Sequence, residues 1–485
     1  MKPDRIATLD GPAFVLDAPA LAALETGLRG PVLTPQSAGY DDVRQIWNGM
    51  IDRRPAVIAR CLGTADVMAC VRFAAEHRLL TAVRGGGHNI AGSAMCDGGL
   101  VIDLSLMRSV QVDPEARTAR VEPGALLSDL DREAQAHGLA VPLGINSTTG
   151  VAGLTLGGGF GWLSRSLGMT VDSLAGAEMV TADGGRLRVD ADHHPELFWG
   201  LCGGGGNLGI VTAFDFRLHP VGPEVLAGLV VHPLSQAPDL LRRYRDLAAA
   251  APDELTVWVV MRSAPPLPFL PPEVHGTPVL VFALCHSGPT EQAERDVAPL
   301  LGLGTPVGTH VGAMPFTAWQ AAFDPLLAPG ARNYWKSHNF TALEDGLIDL
   351  LVDNAGQLPS PQSEIFIAQL GGAASRPASD ATAYPHRDAA YVMNVHTRWD
   401  EPADDAGCVA WARAFFDATA RFSTGGVYVN FIPADEDRVR GAYGANYQRL
   451  AALKAAWDPG NLFRQNQNVA PATPRSDPPT VAVEA

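Results

Sequence analysis

Charge, cysteine and long apolar runs are all scarce in this chain, and each scarcity removes a class of function. Charged residues make up 18% of the 485 positions, and 52 acidic against 36 basic residues leave a formal net charge of −16. With no lysine- or arginine-rich run to offset that charge, neither nucleic acid nor an anionic membrane is expected as a partner. The six cysteines, Cys61, Cys70, Cys96, Cys202, Cys285 and Cys408, include no CxxC pair and no Cys/His spacing suited to zinc. They read as reduced and mostly buried, and no metal is expected. No apolar run approaches the roughly 18 residues of a spanning helix. The N-terminal stretch is broken by Asp4, Asp10 and Asp17, so it lacks the apolar core of a secretion signal. A soluble, cytoplasmic protein is the expectation.

Glycine, in contrast, is plentiful at 50 residues, and it is clustered. The first cluster organises the chain. A strand through Leu79, Leu80, Ala82 and Val83 runs into Arg84-Gly85-Gly86-Gly87, His88 stands at the lip of the turn, and Leu100-Val101-Ile102 resumes as a buried strand ending on Asp103. Two readings stand on these residues alone: a tight turn beside a structural histidine, or a concave run of N–H donors suited to a pyrophosphate. The second cluster, residues 141–172, holds seven glycines before Gly168 together with Ser147, Thr148 and Thr149. Four more glycines at 203–206 lead into a strand from Ile210. Three such clusters, each touching a strand, suggest one long ligand crossed by several loops, although β-rich domains also carry many tight turns.

The length favours two domains. Residues 55–62 read as a strand, Thr64 as the cap of a helix over ADVMACVRFAAEHR, VQVD and TARVE as a hairpin-like pair, and Ala125 to His137 as a helix closed by Gly138. EMVTADGGRLRV reads as two strands across an Asp-Gly turn. From Val221 the texture changes to proline-rich loops, alternating strands (TVWVVMR, PVLVFALCH, EIFIAQL, YVMNVHTRW) and helices near 236–249, 290–301 and 406–421, an α+β domain whose sheet has one open or roofing face. GGVYVNFIP, a helix around 437–456 and WDPGNLFRQNQN return the chain. The expected divisions are 30–220, 221–423, a returning segment 424–470 and a mobile tail 471–485.

Gly204, Gly206 and Gly209 match G-x-G-x-x-G, but the strand Ile210-Val211-Thr212 follows where a dinucleotide site needs a helix, so nicotinamide binding is not expected. Taken together, RGGGH at 84–88, GVAGLTLGGGFGWLSR at 150–165, GGGGNLGIV at 203–211 and DPGNLFRQNQN at 458–468 resemble the berberine bridge enzyme-like FAD-linked oxidases of the vanillyl-alcohol oxidase, PCMH-type superfamily. That resemblance covers nearly the whole chain. It implies an α+β protein: a PCMH-type FAD-binding domain of two subdomains, a substrate domain whose sheet roofs the flavin, and a C-terminal segment returning to the FAD domain.

The resemblance also implies a role for individual residues. His88 would bond to the 8α carbon of FAD. Many relatives add a cysteinyl bond, but Asn146 stands at the cysteine position here, so a single attachment is expected. Contacts to the cofactor are implied for Arg84, Gly85, Gly86, Gly87, Asn89 and Ile90; for Asn146, Thr148, Thr149, Gly150, Gly153, Leu156, Gly158, Gly159 and Gly161; for Gly206, Gly209, Ile210 and Val211; and for Tyr428, Asn430, Asn466 and Asn468. Thr149 would guard the approach of oxygen, or be only a loop hydroxyl. The catalytic candidates are Tyr428 as base, with Asn430 two residues on expected on the same face of a strand, and Asn394 and His396 together on one face of YVMNVHTRW; a core tyrosine and a structural histidine are the alternatives. A phenol with an ordinary pKa near 10 needs a nearby cation or donor to act as a base. His386 matches a family motif, or orders its loop. Trp162, Tyr334, Trp335, Tyr391, Asn394 and Trp399 are expected to line the substrate site.

The implied activity is hydride transfer from a small-molecule substrate, a carbohydrate or a natural-product secondary alcohol or phenolic ring, to FAD, with molecular oxygen reduced to hydrogen peroxide. A dehydrogenase with another acceptor and a silent flavin-binding protein are the alternatives.

Overall fold

Three short strands set the first glycine loop in place. In the computed structural model, which describes residues 4–473, Val57–Arg60 and Thr81–Arg84 both pair in parallel with Leu100–Asp103 between them, and Val32–Leu33 closes one edge. Parallel neighbours need a crossover, and the helix Thr64–Glu76 supplies it. Thr64 is its first residue and not its cap: Asp66 reaches back to accept the Leu62 N–H at 2.8 Å. The second sheet is antiparallel, in the order Arg186–Asp190, Leu174–Val180, Ile210–Arg217, Thr118–Val121, Val110–Asp113. The helix expected from Ala125 spans Leu127–Gln135, and Gly138 adopts the left-handed φ of +65° that ends such helices.

The third sheet has seven antiparallel strands in the order Gly308–Pro315, Glu224–Pro233, Pro278–His286, Leu255–Ser263, Glu364–Gln369, Tyr391–Trp399, Arg332–Phe340. Helices Ala237–Ala250, Thr290–Leu301, Asp345–Ala355 and Asp405–Thr419 pack their apolar stripes on one face. The other face looks toward the first two sheets and the glycine loops, so the chain is a two-domain α+β protein with a sheet as the roof. Three of these strands, Gly308–Pro315, Glu224–Pro233 and Arg332–Phe340, are not among those expected from the sequence. Arg332–Phe340 is buried on both faces and mixes polar with apolar residues on each, so a period of two is never written into it.

Two expectations for the returning segment need correction. Tyr428 and Asn430 do not lie on a strand: the chain there is extended and then tightens into a 3₁₀ turn over Val429–Phe431. The helix expected around 437–456 is two helices, Val439–Tyr443 and Tyr447–Trp457, broken at Gly444, whose φ of +48° ends the first. The expected mobile tail falls almost wholly outside the described residues. Among the described residues, no helix is long and apolar enough to cross a membrane and no group of three His, Cys, Asp or Glu could hold a metal ion.

A buried ion pair ties this segment to the third glycine loop. Lys454 Nζ donates to Asp458 at 2.6 Å, to the Asn207 carbonyl at 2.7 Å and to the Phe463 carbonyl at 2.9 Å, while Asp458 accepts the N–H groups of Leu462 and Phe463. Both side chains are shut away from solvent. Removing one partner of such a pair strands the other charge, so Lys454→Met is expected to cost about 3–5 kcal/mol in urea unfolding. A loss under about 1 kcal/mol would mean that the node is dispensable.

Candidate functional site

Between the glycine loops and the roofing sheet lies a cavity of about 370 Å³. Its floor exists because backbones meet without side chains between them. A Cβ on Gly86 would stand 2.6 Å from Gly150, and one on Gly161 only 1.7 Å from the Leu143 carbonyl oxygen. Other glycines face open space: a Cβ on Gly153 would touch nothing within 4 Å, and one on Gly206 only the Asn466 amide at 4.0 Å. These are the positions where a ligand could lie directly on the chain. The N–H groups of Gly86, Gly87, His88 and Asn89 donate to no acceptor among the described residues, leaving a row of donors at the turn.

His88 lines this cavity with its ring stacked on Trp47, centroids 4.3 Å apart and planes 21° from parallel. Its Nε2 is shielded from solvent and has no partner among the described residues. Burial, reinforced by the nearby His396 and Arg398, pushes its pKa down to about 3 against a weaker opposing hydrogen bond to its own backbone, so the ring is neutral near pH 7. Trp47, which the sequence reading missed, is fixed by its own Nε1 donating to the Leu327 carbonyl at 2.8 Å and by the Arg398 guanidinium 5.5 Å above its ring.

The second loop brings Asn146 to the wall. Its Oδ1 accepts from the Thr148 N–H and hydroxyl at 3.0 and 2.7 Å, which leaves Nδ2 buried without an acceptor. Ser147 anchors the loop by donating its N–H to Asp324 at 2.9 Å. The structure also sets Gly85, Gly86, Gly87, Asn89, Thr149, Gly150, Gly153, Leu156, Gly206, Gly209, Ile210, Val211, Asn430 and Asn466 on the lining. Arg84, Ile90, Thr148, Gly158, Gly159, Gly161 and Asn468 stand behind it. Arg84 turns away to donate to the Val43 carbonyl, Ile90 packs against Trp47 and Trp335, and Thr148 faces solvent. Asn468 keeps a buried, partnerless Oδ1.

Tyr428 is buried among the rings of Phe160, Phe431 and Tyr384. Its oxygen accepts from Asn430 Nδ2 at 2.9 Å and from the Gly159 N–H at 3.2 Å. Asn430 comes this close only because Gly157 has no side chain; a Cβ there would sit 2.3 Å from the amide. Burial pushes the phenol up to about 12, outweighing the two donors that favour the phenolate. Asn394 Oδ1, also on the lining, is buried without a partner. His396 has both ring nitrogens engaged, Nδ1 with Glu364 at 3.2 Å and Nε2 with Asn333 at 3.3 Å, so it positions its neighbours and has no free nitrogen for the cavity.

Two charged residues at the site were not foreseen. Burial would raise the Glu364 carboxyl, but Arg262, the His396 hydrogen bond and Arg398 hold it at about 2. Arg262 Nη1 donates to Glu364 at 2.7 Å. Neither residue belongs to a recognisable motif; only strand pairing, which sets Arg262 opposite Glu364 and Glu364 opposite His396, joins them. Trp162 and Trp335 line the cavity as expected, whereas Tyr334, Tyr391 and Trp399 fall on the opposite strand faces, in the core under the helices.

The glycine floor, the free N–H row and the partnerless atoms of His88, Asn146 and Asn466 suit a long ligand with a phosphate region and a heteroaromatic ring. The FAD binding domain family matches residues 55–190, and the berberine and berberine-like family matches residues 427–470. (R)-6-hydroxynicotine oxidase of Paenarthrobacter nicotinovorans is 31% identical over 474 residues, covering 93% of this chain and 98% of that protein. The FAD-linked oxidoreductase YgaK of Bacillus subtilis is 31% identical over 456 residues, covering 92% and 98%. Among solved structures, 6-hydroxy-D-nicotine oxidase of Arthrobacter nicotinovorans aligns with a TM-score of 0.83 at 30% identity, covering 92% and 98% of the two chains. The xylooligosaccharide oxidase of Myceliophthora thermophila shares the fold, with a TM-score of 0.81 at 24% identity over 93% and 99%. With its glycine floor, its returning C-terminal segment and identity carried across almost its full length, this chain belongs to the berberine bridge enzyme-like family of FAD-linked oxidoreductases.

Proposed function

We propose that the chain is an oxidase, its FAD attached through His88 alone, its substrate oxidised beneath the seven-stranded sheet and its electrons passed to oxygen to give hydrogen peroxide. The observation that carries this reading is the His88 ring, desolvated, neutral, clamped against Trp47 and left with a partnerless nitrogen at the glycine floor. A neutral imidazole keeps the lone pair that a bond to carbon requires; an imidazolium has none to offer. Asn146 supports a single tether, because a carboxamide lacks the nucleophile that a thiolate supplies, and its Nδ2 is instead a hydrogen-bond donor. FAD, when bound, supplies a hydride acceptor at N5 and, once reduced, electrons for oxygen. The relative named as a 6-hydroxynicotine oxidase and the small Thr149 side chain on the lining both support oxygen as the acceptor. A cytoplasmic setting belongs to the same reading, supported by six unpaired cysteines.

Tyr428 handles the proton in this scheme. Two donors occupy its lone pairs, so its O–H is directed toward the cavity, where it holds a substrate oxygen. Because burial pushes its pKa up to about 12, the phenol is protonated near pH 7 and becomes an acceptor only as the medium turns alkaline.

Acid precipitation tests the attachment: yellow colour is expected to stay with the polypeptide and to pass to the supernatant in His88→Ala, and colour that leaves the unaltered protein overturns the bond. Mixing photoreduced holoenzyme with air tests the acceptor. Stoichiometric peroxide is expected, slowed about tenfold or more by Thr149→Leu; reoxidation only by a quinone dye would make the protein a dehydrogenase. With an alcohol that bleaches the flavin under nitrogen, kcat/KM should climb about tenfold per pH unit toward the raised Tyr428 pKa. Tyr428→Phe should flatten that profile, and an unchanged profile would take Tyr428 out of proton transfer.

A further inference from the structure

The cavity-facing side of the sheet is not uniform. Strand register lines up its residues in rows that cross from strand to strand. One row runs Val231, Val281, Val260, Phe366, Asn394; the next runs Val279, Arg262, Glu364, His396. All of these residues line the cavity. The half carried by Glu364–Gln369, Tyr391–Trp399 and Arg332–Phe340, which meets the turn after Tyr428, sets the polar groups Glu364, Asn394 and His396 beside Phe366 and Trp335. The half carried by Glu224–Pro233, Pro278–His286 and Leu255–Ser263 is apolar except for Arg262, and Pro265, Leu267 and Leu270 of the loop 264–277 wall it at the far end. At about 4.8 Å per strand, the three steps from Phe366 to Val231 make this arm about 14 Å across.

Arg262 stands at the seam. Nη1 is taken by Glu364 and Nε bonds its neighbour's carbonyl on Ser263 at 3.3 Å, while Nη2 has no protein partner among the described residues. It is therefore a fixed donor, its position set by the Glu364 carboxylate, facing an otherwise apolar channel.

From this division we infer that the substrate is a hydrophobic molecule of more than one ring, or a ring with an aliphatic extension. Its reacting carbon lies under the Tyr428 side, an acceptor oxygen meets Arg262, and its apolar body fills the arm beneath the loop 264–277. An oligosaccharide is disfavoured, because its hydroxyls would enter the arm with no partners, each unpaired group costing about tenfold or more in affinity. This deepens the proposed oxidase reading and rests on the substrate lying under the same sheet.

The test uses holoenzyme and two naphthalene dyes, anilinonaphthalenesulfonate, which is anionic, and phenylnaphthylamine, which is uncharged. Both are expected to bind saturably with enhanced fluorescence and to perturb the flavin absorbance. Val231→Trp, which fills the arm, should weaken both about tenfold. Val281→Thr, which keeps the side-chain shape and adds one hydroxyl to the arm, should weaken both several-fold, and Arg262→Gln should weaken the sulfonate alone. Dye affinities unchanged in both Val231→Trp and Val281→Thr would overturn the assignment, as would saturable perturbation of the flavin by xylobiose. Dye binding is read by fluorescence and flavin attachment by the colour of the precipitated polypeptide, so the substrate class and the flavin linkage fail separately.

Discussion

Gly86 and Gly150 touch backbone to backbone, and the functional site follows from that contact. Either one, given a Cβ, would drive it to 2.6 Å from the other's main chain, so any side chain here pushes the first and second glycine loops apart. Their closeness brings His88 and Asn146, far apart in the chain, to one cavity. The same economy recurs at Gly157, which admits the Asn430 amide, and through it the hydrogen bond to Tyr428. In each case the missing side chain is what allows a polar group to reach the floor.

Holding a large sheet over this floor requires ties between the two domains, and buried polar groups supply them. The Arg165 guanidinium, from the second loop, donates to the carbonyls of Leu255, Leu370 and Ala251 at 2.9, 2.7 and 3.0 Å. Asn48 bridges the Ile90 carbonyl and the backbone of Asn333 on the outermost strand. Because the polar groups they meet are themselves buried, these bonds are costly to break, and they specify a single seating of roof on floor.

Charge inside the cavity is managed in two opposite ways. Glu364 remains ionised because Arg262, His396 and Arg398 surround it, whereas His88 loses its charge because nothing anionic is near enough to oppose desolvation. The first arrangement makes a rigid polar seam across the roof; the second keeps a lone pair available at the floor. Tyr428 lies between these extremes, with two donors favouring its anion and burial opposing it more strongly.

Much of the FAD side could be read from the residues in order. Its signals are local: glycine where a positive φ or a close approach is needed, an apolar run on either side, and a strand in place of a helix after Gly209. The roof was legible only in part, since Arg332–Phe340 carries buried polar residues, and its Tyr334 and the Tyr391 and Trp399 of the strand beside it could not be assigned to a face before the register was known. For Arg262 and Glu364 there was no local signal at all. They are 102 residues apart and become a pair only when two strands align. Sequence by itself determined where the backbone could turn and be approached, because those preferences belong to single residues. Which side chains share the cavity, and which of them stay charged there, was left to the tertiary structure, because burial and pairing depend on neighbours that the chain order does not name.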